Sequence, residues 1–338
     1  PESAGARPGP VCYGRGGVEP TVTDANLLLG RLDARFFLGG SMALDLDGAR
    51  AAMQSRIAAP LGLELAAAAA GVIRITDTKL AAAIRVSLFE KGLDPRDFAM
   101  LSFGGAGSVH ACAVAEELGM RRIVFPVDAS TLSARGILDA NIAHAFARSG
   151  VRPFDMAALP VIAGIVAELQ MEASKRLEAD GTAVRDRVTK MALDLRYKGQ
   201  AFEMTVPWEA ESFDDAALNE TARAFHDEHE RRYSYANRND AVELVTVRLH
   251  AIGVLPRVTP KLEAVSATGN PSGTRRVYTD SSWETVPVWR RGNIDEQTTV
   301  VGPCIIEEDY TTIFLTTRWT LTRGRDSHLV ADSIGTPS

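Results

Sequence analysis

The chain has 338 residues, 46% of them hydrophobic, which is more than one core usually serves, so two domains are expected. Its formal net charge of −6 arises after residue 150: residues 1–150 hold 15 basic and 15 acidic side chains, residues 151–338 hold 22 and 28. An acidic half without a basic stripe argues against a nucleic-acid partner, and no apolar run nears the roughly 20 residues that span a bilayer, so no membrane partner is expected.

Residues 1–20 read as a loop broken by Gly14, Gly16, Gly17 and Pro20, after which Thr23 or Asp24 caps a helix through Leu27, Leu28 and Leu32. From Leu63 to about Lys91, alanines and the spacing Ile73, Leu80, Ile84, Leu88 predict a long helix despite Gly71, ended by Gly92. Residues 98–103 form a short apolar run of the kind buried in a sheet. The glycine turn 104–107, a helix from Val109 to Leu118 stopped by Gly119, and a buried strand over 122–126 complete a strand–turn–helix–strand unit. Ser133 is placed to cap a helix through Ala134, Ile137, Leu138 and Ile142.

Beyond Gly150 the texture changes. A helix over 161–179 follows Pro160, a hairpin over 193–207 turns at Lys198-Gly199-Gln200, a charged helix covers 215–233, and residues 242–250 alternate as a half-buried strand. Residues 255–275, rich in Pro, Ser, Thr and Gly, read as a linker or long loop, and from Arg276 short β-branched runs predict a β-rich end. Cys12, Cys112 and Cys304 lie far apart without CxxC spacing, so neither a disulfide framework nor a zinc cluster is indicated, and a reducing cytoplasm fits. The start, PESAGARPGP, lacks the basic and apolar regions of a secretion signal.

The run Ser102-Phe103-Gly104-Gly105-Ala106-Gly107-Ser108-Val109-His110 leaves backbone free to approach a nucleotide, or another piece of chain in a tight packing turn. The dinucleotide fingerprint would need a third glycine where His110 stands, and no Gly-Lys-Ser/Thr phosphate loop occurs. His110 reads as a donor to a nucleotide or as a satisfied core histidine. His226 and His229, spaced i, i+3 beside Asp227, Glu228 and Glu230, form a metal-binding face or a solvated charged one. Asp24 is a helix cap or a carboxylate presented at a site, and it is the candidate catalytic, metal-facing acid. Neither HExxH nor GxSxG is present.

Several stretches together resemble the hydantoinase A / 5-oxoprolinase family. They are Gly9-Pro-Val-Cys-Tyr-Gly-Arg-Gly-Gly17 followed by Pro20-Thr-Val-Thr-Asp-Ala-Asn26; Phe37-Leu-Gly-Gly40 with Met42; and Asp94-Pro-Arg-Asp-Phe98 leading into Phe103-Gly-Gly-Ala-Gly107 and His110-Ala111. Leu132-Ser-Ala-Arg-Gly136, Arg196-Tyr-Lys-Gly-Gln200, Val242-Glu-Leu-Val245 and Gly302-Pro-Cys-Ile-Ile-Glu-Glu308 continue the match in order. The resemblance implies an α/β fold: part of an actin-like, ribonuclease-H-like ATPase lobe over 1–150, then an α+β carboxyl-terminal domain with a β-rich end over 151–338.

The same resemblance implies binding of ATP with Mg²⁺, Gly104, Gly105, Ala106 and Gly107 forming the adenosine-side turn, and residues 133–136 opening a helix that helps join two lobes. It implies phosphoryl transfer to the carbonyl oxygen of a small cyclic amide, hydrolysis of the ring, and a hydantoinase B-type partner subunit or domain. A related ketone carboxylase subunit is the near alternative, and a non-catalytic scaffold docking a partner is another. Gly107-Ser-Val-His110 replaces the family's usual Gly-Pro-Leu-His, and Asp128-Ala-Ser-Thr131 replaces its usual Pro-Gly. The family's glycine-rich, aspartate-bearing phosphate motifs belong upstream, so the chain is expected to be the carboxyl-terminal portion of a longer polypeptide, inactive alone without that amino-terminal portion.

Overall fold

The computed structural model describes residues 3–257, 267–324 and 326–335. In chain order the elements are α1 (Val22–Leu28), α2 (Leu46–Met53), α3 (Ala59–Leu61), α4 (Leu65–Phe89), β1 (Met100–Leu101), α5 (Gly107–Leu118), β2 (Arg122–Phe125) and α6 (Leu132–Asp139). There follow β3 (Ile142–Pro153), α7 (Leu159–Ala179), β4 (Arg187–Tyr197), β5 (Met204–Trp208), α8 (Asp215–Tyr233) and β6 (Val242–Gly253). The last elements are β7 (Gly273–Thr279), β8 (Ser282–Arg290), β9 (Val300–Val301), β10 (Cys304–Glu307), β11 (Thr312–Leu315), β12 (Trp319–Arg323) and β13 (Leu329–Ser333). The result is the mixed α/β class that the sequence predicts.

Packing divides the chain into Pro1–Arg135 with Lys261–Ser338, and Gly136–Pro260. The first unit holds a five-stranded sheet ordered β1-β2-β13-β12-β9 and a four-stranded sheet ordered β11-β10-β8-β7. The β-rich end therefore belongs with the first unit, because β13 pairs antiparallel to β2 from Leu329 opposite Phe125 to Asp332 opposite Arg122. The second unit is an antiparallel sheet ordered β3-β6-β4-β5 with α7 and α8 packed on it. Gly150, where the texture changes, lies inside β3 beside a register shift between Ser149 and Arg152.

Local chemistry explains the firmest elements. Thr21 opens α1 with a capping box: Asp24 N–H donates to Thr21 Oγ1 at 3.4 Å, and Thr21 N–H donates to Asp24 Oδ2 at 2.7 Å. The cap is thus Thr21, not Thr23 or Asp24, and the helix ends at Leu28, leaving Leu32 in the following loop. Gly119 ends α5 in the left-handed conformation, as its sequence position suggests. On α7, Ile162, Val166, Leu169, Ala173 and Leu177 make a buried stripe against the second unit's sheet. By length and composition alone Met156–Ala179 could span a bilayer, which corrects the expectation drawn from uninterrupted apolar runs, but the buried stripe on α7 is equally that of a core helix.

Four expectations need correction. Only Met100–Leu101 of the run 98–103 is strand, and Phe98, Leu101 and Phe103 are exposed, because β1 is an edge strand with a neighbour on one side alone. The helix at Ser133 stops at Asp139 with Ile137 and Leu138 exposed, and Ile142 opens β3 instead. Of the connection at 255–275, residues 258–266 lie outside the described residues, while 273–275 already belong to β7. The strand β3 itself escaped the sequence reading. All three cysteines are free and buried, and burial pushes the thiols of Cys112 and Cys304 up to about 12 and that of Cys12 higher still.

Candidate functional site: a pinned glycine turn before α5

Gly104 has φ +92°, which favours glycine, and its N–H donates to Ala129 O at 2.8 Å. Thr311 Oγ1 donates to Gly104 O at 3.2 Å, so the turn is held from two sides. A Cβ on Gly105 would lie 3.4 Å from Tyr310 O. The closest approach the glycines permit is therefore to another stretch of chain, while Gly105, Ala106 and Gly107 stay exposed on the other side. Below them, Ser102 Oγ and Ser108 Oγ are 3.3 Å apart and buried. α5 opens after this turn with no side-chain cap; Val109 N–H donates back to Ala106 O at 3.3 Å, and Gly104's own N–H is already spent on Ala129.

A small cleft of about 30 Å³ reaches Gly105 and is lined by Asp33, Phe36, Glu307, Glu308, Tyr310 and neighbouring residues. Its acids are largely neutralised. Arg275 binds Asp33 at 2.8 Å and Glu307 at 2.5 Å, Arg290 reaches Glu307 at 3.2 Å, and Arg291 binds Glu308 at 2.8 Å. Burial raises the Glu308 pKa above the usual carboxylate range, with Arg291 opposing that shift. The larger cavities lie elsewhere: about 1130 Å³ in the second unit, and about 680 Å³ at another face of the first.

Asp24 is 0% exposed and turned inward. Its carboxylate accepts from Cys12 N–H at 2.7 Å, Val11 N–H at 3.2 Å, Thr21 N–H at 2.7 Å and Thr21 Oγ1 at 2.8 Å. Both oxygens are engaged in clamping the loop at residues 11–12 onto the start of α1. The structure does not bring Asp24 to the glycine turn as a contact. His110 is a satisfied core histidine, with Nδ1 2.6 Å from Asp77 Oδ1 and Nε2 3.3 Å from Asn26 Nδ2.

The histidines of α8 are neither a metal face nor a solvated one. Both are buried against the Arg196–Gln200 stretch: His226 Nδ1 lies 2.7 Å from Tyr197 Oη, and His229 Nε2 lies 3.1 Å from Gln200 Nε2. His229 Nδ1 is 2.8 Å from Tyr235 O, which fits an Nδ1–H donor and an Nε2 acceptor. Charge spacing alone pointed outward; the signal missed was the aromatic and amide side chains of Tyr197 and Gln200 waiting at the hairpin. Burial, then Arg238, pulls the His226 pKa below its ordinary value, so the unfolded chain binds the extra proton first. Stability of the second unit should accordingly fall as pH drops below about 6.5, the unfolded value. His226→Gln should flatten that slope in a pH series of thermal unfolding.

Among the described residues no group of three or more His, Cys, Asp or Glu could hold a metal ion. No ligand set for Mg²⁺ is therefore assigned. The glycine turn, by contrast, leaves backbone without side chains exposed at Gly105 and Gly107.

The family model for Hydantoinase/oxoprolinase matches residues 1–146, and that for the Hydantoinase/oxoprolinase C-terminal domain matches residues 154–324. The chain belongs to the hydantoinase/oxoprolinase family. It is 36% identical over 329 residues to caprolactamase subunit alpha of Pseudomonas jessenii, covering 94% of this chain and 47% of that protein. It is 31% identical over 337 residues to the acetophenone carboxylase gamma subunit of Aromatoleum aromaticum, covering 94% of this chain and 45% of that one. The crystal structure of the ATP-dependent caprolactamase from P. jessenii superposes with a TM-score of 0.82 at 33% identity, over 98% of this chain and 49% of its own. The chain thus spans about half the length of the relatives it matches.

Proposed function

We propose that this chain is the adenosine-side part of an ATP-dependent cyclic amide hydrolase. The observation that carries the reading is the turn at Gly104–Gly107: pinned to Ala129 and Thr311 behind, bare of side chains in front, and set at the start of α5. The 36% identity to a caprolactamase subunit supports it. Bound ATP would supply a phosphoryl group to the amide oxygen; water would then add to the activated carbon, the C–N bond would break as the nitrogen takes a proton, and hydrolysis of the resulting acyl phosphate would release phosphate. The chain's own residues contribute a rigid seat, since positioning is what such chemistry asks of a protein. A hydantoinase B-type partner subunit and a cytoplasmic setting complete this reading.

Gly105 offers the test. Valine there would push against Tyr310 O, so alanine, whose Cβ meets that oxygen at 3.4 Å, is the cleaner probe. In the complete enzyme, Gly105→Ala should weaken ATP binding about tenfold by calorimetry with an unchanged melting temperature. Lactam-stimulated phosphate release should fall in parallel at subsaturating ATP. Unchanged affinity would remove the turn from the nucleotide site. Ketone carboxylation is the second reading, favoured by the 31% identity to an acetophenone carboxylase subunit. Phosphate release stimulated by a ketone with bicarbonate, and not by any lactam, would select it.

A further inference from the structure

We propose that a second cavity of the first unit, into which Arg31, Arg74 and Arg318 converge, binds a small organic anion through a carboxylate or phosphate group. The cavity, about 680 Å³, lies among α4, α5, the β7–β8 turn and the β11–β12 turn, and shares no lining residue with the cleft at Gly105. That volume suits a metabolite-sized ligand. Arg275 and Arg291 are each held by carboxylates, whereas the side chains of Arg31, Arg74 and Arg318 make no ion pair or hydrogen bond among the described residues.

The acids at the wall are otherwise engaged. Glu116 Oε1 accepts from Thr316 Oγ1 and from Trp319 Nε1, both at 2.8 Å, and Asp280 Oδ2 accepts from Thr317 Oγ1 at 3.3 Å. Asp77, whose charge reaches Arg31, is bound to His110. Arg31 is the least satisfied of the three. Its guanidinium carbon lies 4.6 Å from the centroid of Phe314, and its buried Nε has no hydrogen-bond partner. Burial lowers the Arg31 pKa, and the charge of Asp77 opposes that shift.

The cavity supplies the other half of a recognition surface as well. Ala67, Ala70 and Gly71 of α4 form an apolar wall, and a Cβ on Gly71 would meet nothing within 4 Å. Thr279, Ser281 and Thr317 add hydroxyl groups beside the arginines. A flat cation over an aromatic ring, in a cavity also lined by hydroxyls and alanines, matches an organic anion with a compact apolar body.

The test titrates the chain with inorganic phosphate and, separately, with succinate, followed by calorimetry at low ionic strength. Saturable binding of at least one is expected, and which of the two binds identifies phosphate or carboxylate as the natural group. Arg31→Gln should weaken binding about tenfold or more, as removal of a charged hydrogen-bond donor does. Because Arg31 also packs on Phe314, the exposed rim variants Arg74→Glu and Arg318→Glu provide an independent reading, and each should weaken binding several-fold without changing the melting temperature. Saturable binding by neither anion, or binding that both rim variants leave unchanged, would overturn the assignment.

Discussion

Replacing Asp24 by alanine should destabilise the first unit by about 3–5 kcal/mol, the range for stripping a buried charge from its hydrogen-bond partners. The variant leaves the N–H groups of Val11, Cys12 and Thr21 and the hydroxyl of Thr21 without their shared acceptor. It also releases residues 11–12 from α1, where Cys12 is wholly buried in a core with Leu27, Leu29 and Met53. Asp24→Asn should lose less, since one amide oxygen still accepts while the amide NH₂ confronts N–H donors. Chemical unfolding of both variants checks the order. A wild-type midpoint for Asp24→Ala would mean that the clamp contributes nothing.

Gly302→Ala should cost about 3 kcal/mol or more, and its soluble yield should drop with it. A Cβ at this position would sit 2.0 Å from Thr316 O and 2.7 Å from Thr316 C, and neither is the end of a flexible side chain that can swing aside. Gly302 N–H also donates to Trp319 O at 3.0 Å, so any retreat of the backbone loosens the β9–β12 side of the five-stranded sheet. The Gly302–Glu308 stretch thereby has a packing reason for its first glycine, separate from its acids, which pair with Arg275, Arg290 and Arg291. Differential scanning calorimetry on the variant decides the matter, and an unshifted transition would contradict the contact.

The sequence was most legible where a local rule sufficed. Alanine content and apolar spacing located α4, Gly119 located the end of α5, and Lys198-Gly199-Gln200 located the turn between β4 and β5. It was least legible where the answer depended on what lies across space. The run at 98–103 reads as buried by hydropathy, yet β1 sits at a sheet edge, and only Met100 packs on the core while Phe98, Leu101 and Phe103 are exposed. The helix α8 carries so many charges that its histidines read as solvated, although one face docks on Tyr197 and Gln200 of the hairpin. The strand β3 was hidden because short alanines and polar residues alternate weakly, and it too has a partner on one side only.

The candidate site shows the same division. The glycines at 104–107 announce close approach, and the backbone explains why Gly104 must be glycine; that Ala129, Tyr310 and Thr311 are what lie behind the turn could not be read from spacing, because two of them are some 200 residues away. Asp24 illustrates the converse. The sequence offered it or Thr23 as the helix cap, while the fold makes Thr21 the cap, puts Asp24 at the third position of the box and extends its reach to residues 11 and 12.

The central claim is that the bare side of the Gly104–Gly107 turn receives the adenosine end of ATP. Backbone amide resonances of Gly105, Ala106 and Gly107, followed by NMR while the chain is titrated with ATP and then with adenosine, test it most directly. The account predicts saturable shifts at these three residues with both ligands, little dependence on Mg²⁺, and Gly104 shifted least because its N–H stays bound to Ala129. Shifts absent from the turn, or confined to the arginine-lined cavity around Arg31, would contradict it.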